Sequence, residues 1–180
     1  MNARIDLSAV PILDHHAHAL VRSDVPMPME KWQGYFSESP NALVKQRDVP
    51  HTIMWQWGIR ELAGYLDCEP TAEAVYAARN ALPLTTLANG MWQDTNSELL
   101  ILDYYGFATH ENYTTEAMAA TFNQKIEKLL RIETFAQDLF MQNATFDAFL
   151  DAFIAGLEGA RASGHVGFKS IIAYRTGLDI

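Results

Sequence analysis

Four short apolar runs punctuate the chain, at about 10–18, 99–104, 128–133 and 166–173. Each has the length and composition of a strand buried on both faces. Helical spacing separates the later ones. Phe146, Phe149, Leu150, Phe153, Ile154 and Leu157 recur on one helical face, with Thr145 placed to cap it and Gly164 to stop it. A second helix is expected over Thr114–Gln124, with Met118 and Phe122 on its apolar side. Strand, helix, strand, helix, strand from 99 to 173 predicts an α/β fold with a parallel sheet and right-handed crossovers.

The stretch from about 20 to 97 breaks this rhythm and is too long for one crossover. Prolines at 26, 28, 40, 50, 70 and 83 divide it, and helices are expected over Thr52–Leu66 and Thr71–Leu82. It reads as a helical insertion after the first strand, covering the mouth of the sheet. Trp32, Trp55, Trp57 and Trp92 all fall in it. Packing between insertion helices is the expected role of these tryptophans, and an apolar wall of a substrate pocket is the alternative.

Composition narrows the function classes. With 49% hydrophobic and 19% charged residues, the chain is globular and not disordered. A net charge of −9 argues against nucleic acid and against an anionic membrane surface as partners. Cys68 stands alone, so no internal disulfide forms, and a reducing, cytoplasmic setting is expected. No signal segment opens the sequence, and no window approaches the roughly 18 apolar residues of a membrane span.

Candidate chemistry concentrates at strand ends. In Asp14-His15-His16-Ala17-His18, residues two apart share a strand face, so His16 and His18 project together. Two imidazoles at the C-terminal end of a parallel strand can bind one divalent metal; a hydrogen-bonded pair without metal is the alternative. Lys169 interrupts the apolar strand Val166–Ala173. Burial would favour its neutral amine, which can take up carbon dioxide as a carbamate and become an oxygen ligand. Two alternatives are a lysine that snorkels to solvent and a Schiff-base lysine of an aldolase. Arg131 and Glu133 are expected on one face of strand three, either as a structural ion pair or as groups that orient substrate or support the metals. Tyr174 and Arg175, just past strand four, are candidates for binding an anionic substrate group. His51, His110 and His165 lack ligand spacing, and Cys68 has no catalytic context.

These motifs resemble the amidohydrolase superfamily. The strand ending Ile12-Leu13-Asp14-His15-His16-Ala17-His18 is similar to its His-x-His signature. Phe168-Lys169-Ser170-Ile171-Ile172-Ala173-Tyr174-Arg175 looks like its lysine strand, and Arg131-Ile132-Glu133 resembles the third strand of the group that includes amidohydrolase domains fused to glutamine-synthetase-like proteins. The resemblance covers essentially the whole chain. It implies the N-terminal half of a (β/α)8 TIM-type barrel with a helical insertion after strand 1. It also implies one or two divalent metals, zinc above all, held by His16, His18 and Lys169 as a carbamate. The implied reaction is hydrolysis of a C–N bond in an amide or cyclic amide by metal-activated water. The histidines of strands five and six and the aspartate of strand eight have no counterparts in this sequence. The polypeptide alone is therefore expected to be inactive, with open strand edges that invite self-pairing as a homo-oligomer. Other readings are a non-oxidative decarboxylase of the same superfamily, an aldolase using Lys169, and a non-catalytic half-barrel that needs a partner.

Overall fold

The computed structural model describes residues 9–103, 110–174 and 177. Its elements in chain order are β1 (Ile12–Ala17), α1 (Met29–Gly34), α2 (Ile53–Leu66), α3 (Ala72–Asn80), α4 (Leu84–Asp94), β2 (Ser97–Leu102), α5 (Thr115–Thr121), β3 (Lys125–Arg131), α6 (Ile132–Gln142), α7 (Phe146–Glu158) and β4 (His165–Lys169). No helix among the described residues is long and apolar enough to cross a membrane. The chain divides into two compact units, Ser23–Leu87 and the remainder.

Four threonines start helices as their sequence positions predict. The hydroxyl oxygens of Thr52, Thr71, Thr114 and Thr145 accept from the backbone N–H three residues on, opening α2, α3, α5 and α7. Asp67, at φ 52°, ends α2 in the left-handed region. The helix at 146–158 stops before Gly164, which instead makes the left-handed turn (φ 84°) directly ahead of β4.

In the unit holding the termini, the sheet is wholly parallel in the order β1-β2-β3-β4. Alternation along β2 and β3 sends Leu100, Leu102 and Leu130 to one face, where they are buried. Met118 of α5 and Phe122 just past it are buried in the same unit, and Phe122 meets Trp92 and Tyr113 edge-on at 5.6 and 5.4 Å. Between α6 and α7, Phe135 stacks on Phe153 at 5.9 Å. A Cβ on Gly156 would stand 2.1 Å from the Phe135 ring, so glycine alone permits this approach. The opposite face of the sheet carries Leu99 and Ile101 of β2, Leu129 and Arg131 of β3, and Gly167 and Lys169 of β4. Arg131 and Lys169 sit side by side in register.

Residues 23–87 form a helical unit around Trp32, Val49, Trp55, Ile59, Ala63 and Val75. Trp32 packs on Trp55 at 5.2 Å, on Phe36 at 5.7 Å and on Tyr76 at 5.7 Å. Tyr76 donates its hydroxyl to the Met27 carbonyl (2.7 Å), and Gln33 donates to the Lys45 and Gln46 carbonyls. Core packing thus holds for Trp32 and Trp55. Trp57 is half exposed, and Trp92 packs in the other unit.

The expected fold class is corrected here. The chain is an α/β structure with a four-stranded parallel sheet, not the N-terminal half of a TIM-type barrel carrying a helical insertion. The physical reason lies in residues 23–87. An inserted cover depends on its host for a core, whereas this segment closes an aromatic core of its own.

Candidate functional site

The site is built at the C-terminal ends of β1, β2 and β3. β1 reaches it through an irregularity: Asp14 pairs with Leu100 but Ala17 with Leu102, so one extra residue is accommodated between them. The Asp14 carboxylate takes the His16 backbone N–H at 3.1 Å and holds this bulge. Beyond it, Asp103 donates its N–H to the Ala17 carbonyl (2.8 Å), keeping β1 and the end of β2 in step. The chain after His18 is pinned in turn. Tyr113 donates to Leu20 and Arg22 to Glu111 through their backbones, both at 2.9 Å, and the Asn112 side chain donates to the Ala19 carbonyl at 2.9 Å. Both ends of the histidine motif are therefore fixed.

His16 and His18 project together, their ring centroids 5.3 Å apart and edge to face. Both meet Asp103. His16 Nε2–H donates to Asp103 Oδ2 at 3.3 Å, since an ionised carboxylate only accepts. His18 Nδ1–H donates to the Asp103 backbone carbonyl at 3.0 Å. In the neutral rings these bonds place the lone pairs on His16 Nδ1 and His18 Nε2.

Asp103 is 1% exposed, the buried charge of the site. Arg131 donates Nε–H to its Oδ1 at 3.1 Å and Nη2–H to its Oδ2, a two-pronged pair. Burial pushes the Asp103 carboxyl up. The hydrogen bonds from Arg131 and His16 and the nearby charges of Arg131 and His18 outweigh it, and the carboxyl sits below its ordinary value. A depressed carboxylate contributes stability that is complete above the ordinary carboxylate range, about pH 4. That contribution is lost as pH falls through the lowered value. The urea midpoint is therefore expected to drop below about pH 4, and Asp103→Ala is expected to flatten that acid limb. Parallel acid limbs in the two proteins would contradict this assignment.

Sequence reasoning missed Asp103. The available signal was an aspartate closing the apolar run Leu99–Leu102, as Asp14 follows Ile12-Leu13 in β1. Glu133 is not on the sheet face beside Arg131. β3 ends at Arg131, and Glu133 lies in the first turn of α6. Its Oε1 accepts the Ser170 hydroxyl at 2.5 Å and its Oε2 the Ile171 N–H at 2.9 Å. Burial pushes the Glu133 carboxyl up, but these bonds and its own backbone N–H hold it below its usual value.

Lys169 is half-buried at the end of β4, in register with Arg131. Tyr174 is 85% exposed and stays apart from the cluster; Arg175 lies outside the described residues. His51 and His110 are exposed. His165 opens β4 with Nδ1 donating to the Ala160 carbonyl at 3.3 Å, and burial lowers its pKa. The structure thus joins His16, His18 and Arg131 through Asp103. It leaves Tyr174 outside that network and gives Glu133 a separate task.

The donor set fits a cation in part. His16 and His18 offer two adjacent imidazoles, and the Nδ1–H bond from His18 to a backbone carbonyl is the kind of support that orients a ligand ring. Among the described residues no group of three His, Cys, Asp or Glu is arranged to hold a metal ion.

No family model matches the chain, and no curated protein does. The chain is similar to the crystal structure of a presumed metal-dependent hydrolase from Lactobacillus casei, with a TM-score of 0.80 and 26% sequence identity over 96% of its length. It spans 46% of that protein. This likeness reaches the fold of a metal-dependent hydrolase and does not extend to the amidohydrolase superfamily in particular.

Proposed function

We propose that this chain supplies His16 and His18 to a divalent cation in a hydrolase that cleaves a C–N bond of an amide or cyclic amide. One observation carries the reading. The two imidazoles stand side by side at a parallel strand end, each oriented by Asp103. The Lactobacillus casei neighbour supports the hydrolase and the metal, and the motif resemblance supports the C–N bond. Zinc is the favoured cation, since it is commonly held by imidazole.

A bound divalent cation polarises a scissile carbonyl and lowers the pKa of a water. The chain's own residues set where this happens. The Asp103 carbonyl fixes the His18 tautomer, the Asp103 carboxylate turns His16, and Arg131 keeps that carboxylate ionised in a buried position. Carbamylation of Lys169 would add an oxygen donor from β4.

Zinc titration by calorimetry tests the ligand assignment. His16→Ala and His18→Ala are each expected to weaken binding by at least about tenfold, and the double variant to abolish it. Zinc bound equally well by the double variant would overturn the site. Assay of the complete, zinc-loaded hydrolase to which these histidines would belong, on N-acyl amino acids and cyclic amides, tests the bond class; cleavage of esters alone would reject it.

A further inference from the structure

α6 and α7 run antiparallel, with Phe135 opposite Phe153 and Phe140 opposite Phe149. Towards the end where they join, apolar side chains stand in the open. Phe140, Met141 and Phe146 are 64, 83 and 66% exposed. Ala136, Gln137, Phe140, Met141 and Phe149 line a groove of about 460 Å³. Along α7 the apolar surface continues from Phe146, which meets Phe149, to Leu150 and Ile154, each one turn further on and each exposed. Phe140, Met141, Phe146, Leu150 and Ile154 together present about 600 Å² of apolar surface, taking roughly 150–250 Å² for a large side chain fully in the open. That is the top of the range for the largest patch on a soluble monomer, and such patches are commonly binding surfaces.

The rim of this face selects the occupant. From Ile132 to Glu158 the chain carries Glu133, Asp138, Asp147, Asp151 and Glu158, and no lysine or arginine. Glu133 is turned to Ser170 and Ile171. At about 3.6 residues per turn, Asp147 and Asp151 stand on the row of α7 next to Leu150 and Ile154. Asp138 stands beyond Met141 on α6 by the same spacing. All three are exposed, and none takes part in an ion pair among the described residues. The apolar face is therefore bordered by carboxylates on both helices. A second copy of this chain would bring two such rims together, which like charge disfavours. An anionic membrane surface is disfavoured for the same reason.

We infer that the α6–α7 face docks an amphipathic helix of a protein partner, with an apolar stripe for the groove and lysines or arginines along its borders. A helix seated in a groove anchors through side chains at i, i+3 or i+4, and i+7. Phe146 to Ile154 spans about 12 Å along α7 at roughly 1.5 Å per residue, which matches two turns of such anchors. Met141, unbranched and polarisable, adapts to whichever anchors arrive. The inference is independent of the metal and of the hydrolase reading.

The probe is a labelled synthetic peptide of leucine and lysine with its leucines on one helical face, followed by fluorescence anisotropy against the full chain. Saturable binding is expected, with a leucine–glutamate peptide of the same pattern at least about tenfold weaker. Met141→Ser/Phe146→Ser should weaken the lysine peptide by about tenfold to a hundredfold. Asp138→Asn/Asp147→Asn/Asp151→Asn keeps the apolar face and should weaken it by about tenfold, with a smaller salt dependence. Ile53→Ser/Met54→Ser changes two exposed apolar residues of the other unit and should leave binding as it is. Matching circular dichroism establishes that the variants fold. Equal binding of the two peptides overturns the inference, as does full binding by Met141→Ser/Phe146→Ser or an equal loss in Ile53→Ser/Met54→Ser. So does a dimer of the chain alone, seen by sedimentation and dissolved by Met141→Ser/Phe146→Ser, because the face would then belong to a second copy.

Discussion

Asp103→Ala is expected to cost about 3–5 kcal/mol of folding free energy. The carboxylate is 1% exposed and accepts from both Arg131 and His16. Removing it strands a guanidinium whose side chain is 14% exposed, with no carboxylate left on it. An uncompensated buried charge costs more than the pair contributed, because its desolvation is no longer offset. Asp103→Asn should fall between, since its amide oxygen still accepts one bond while its NH2 faces the guanidinium. The double change Asp103→Leu with Arg131→Met should recover much of the loss, as apolar groups in place of a buried pair usually do. Urea unfolding followed by circular dichroism reads all three. A loss below about 1 kcal/mol in Asp103→Ala would mean that Arg131 reaches water, and that the network does not hold the end of the sheet. The same substitution should weaken zinc by about tenfold to a hundredfold, because it removes the carboxylate that orients His16, while the backbone carbonyl that orients His18 remains.

That network explains what the sequence could and could not show. The pairing of His16 with His18 follows from strand alternation, a local rule, and the rings stay side by side although the register shifts between Asp14 and Ala17. The bulge itself depends on Asp14 competing for a backbone N–H, which no hydrophobic pattern records. Asp103 draws its meaning from His16, 87 residues away, and from Arg131, 28 away; contacts that distant leave no periodicity. Glu133 reads as strand in the sequence because α6 begins without a capping side chain. Arg131 occupies the cap position and makes no capping bond, so the start signal is missing. The helices at 53–66 and 72–80 were legible, being announced by Thr52 and Thr71. The closure of residues 23–87 around an aromatic cluster was not, because it is decided by which rings meet in space.

Trp32→Ala should test that closure, at a cost of about 3–5 kcal/mol. Trp32 is 7% exposed and touches three other rings, those of Phe36, Trp55 and Tyr76. It meets all three, so truncation removes these edge-on and tilted ring contacts and also opens a cavity between helices. The rings cannot collapse freely into that space. Tyr76 is tethered to the Met27 carbonyl by its hydroxyl, and Trp55 sits in the first turn of α2 under the Thr52 cap. Stability of an ordinary domain is about 5–15 kcal/mol, so the loss is a large share of what residues 23–87 can hold. Amide exchange is the direct measurement: protection across α2 and α3 should fall with the substitution. Trp57→Ala is the control, since that ring is 52% exposed and should change protection little. Equal protection in the wild-type and Trp32→Ala proteins would show that the aromatic cluster is not what makes this segment a unit of its own.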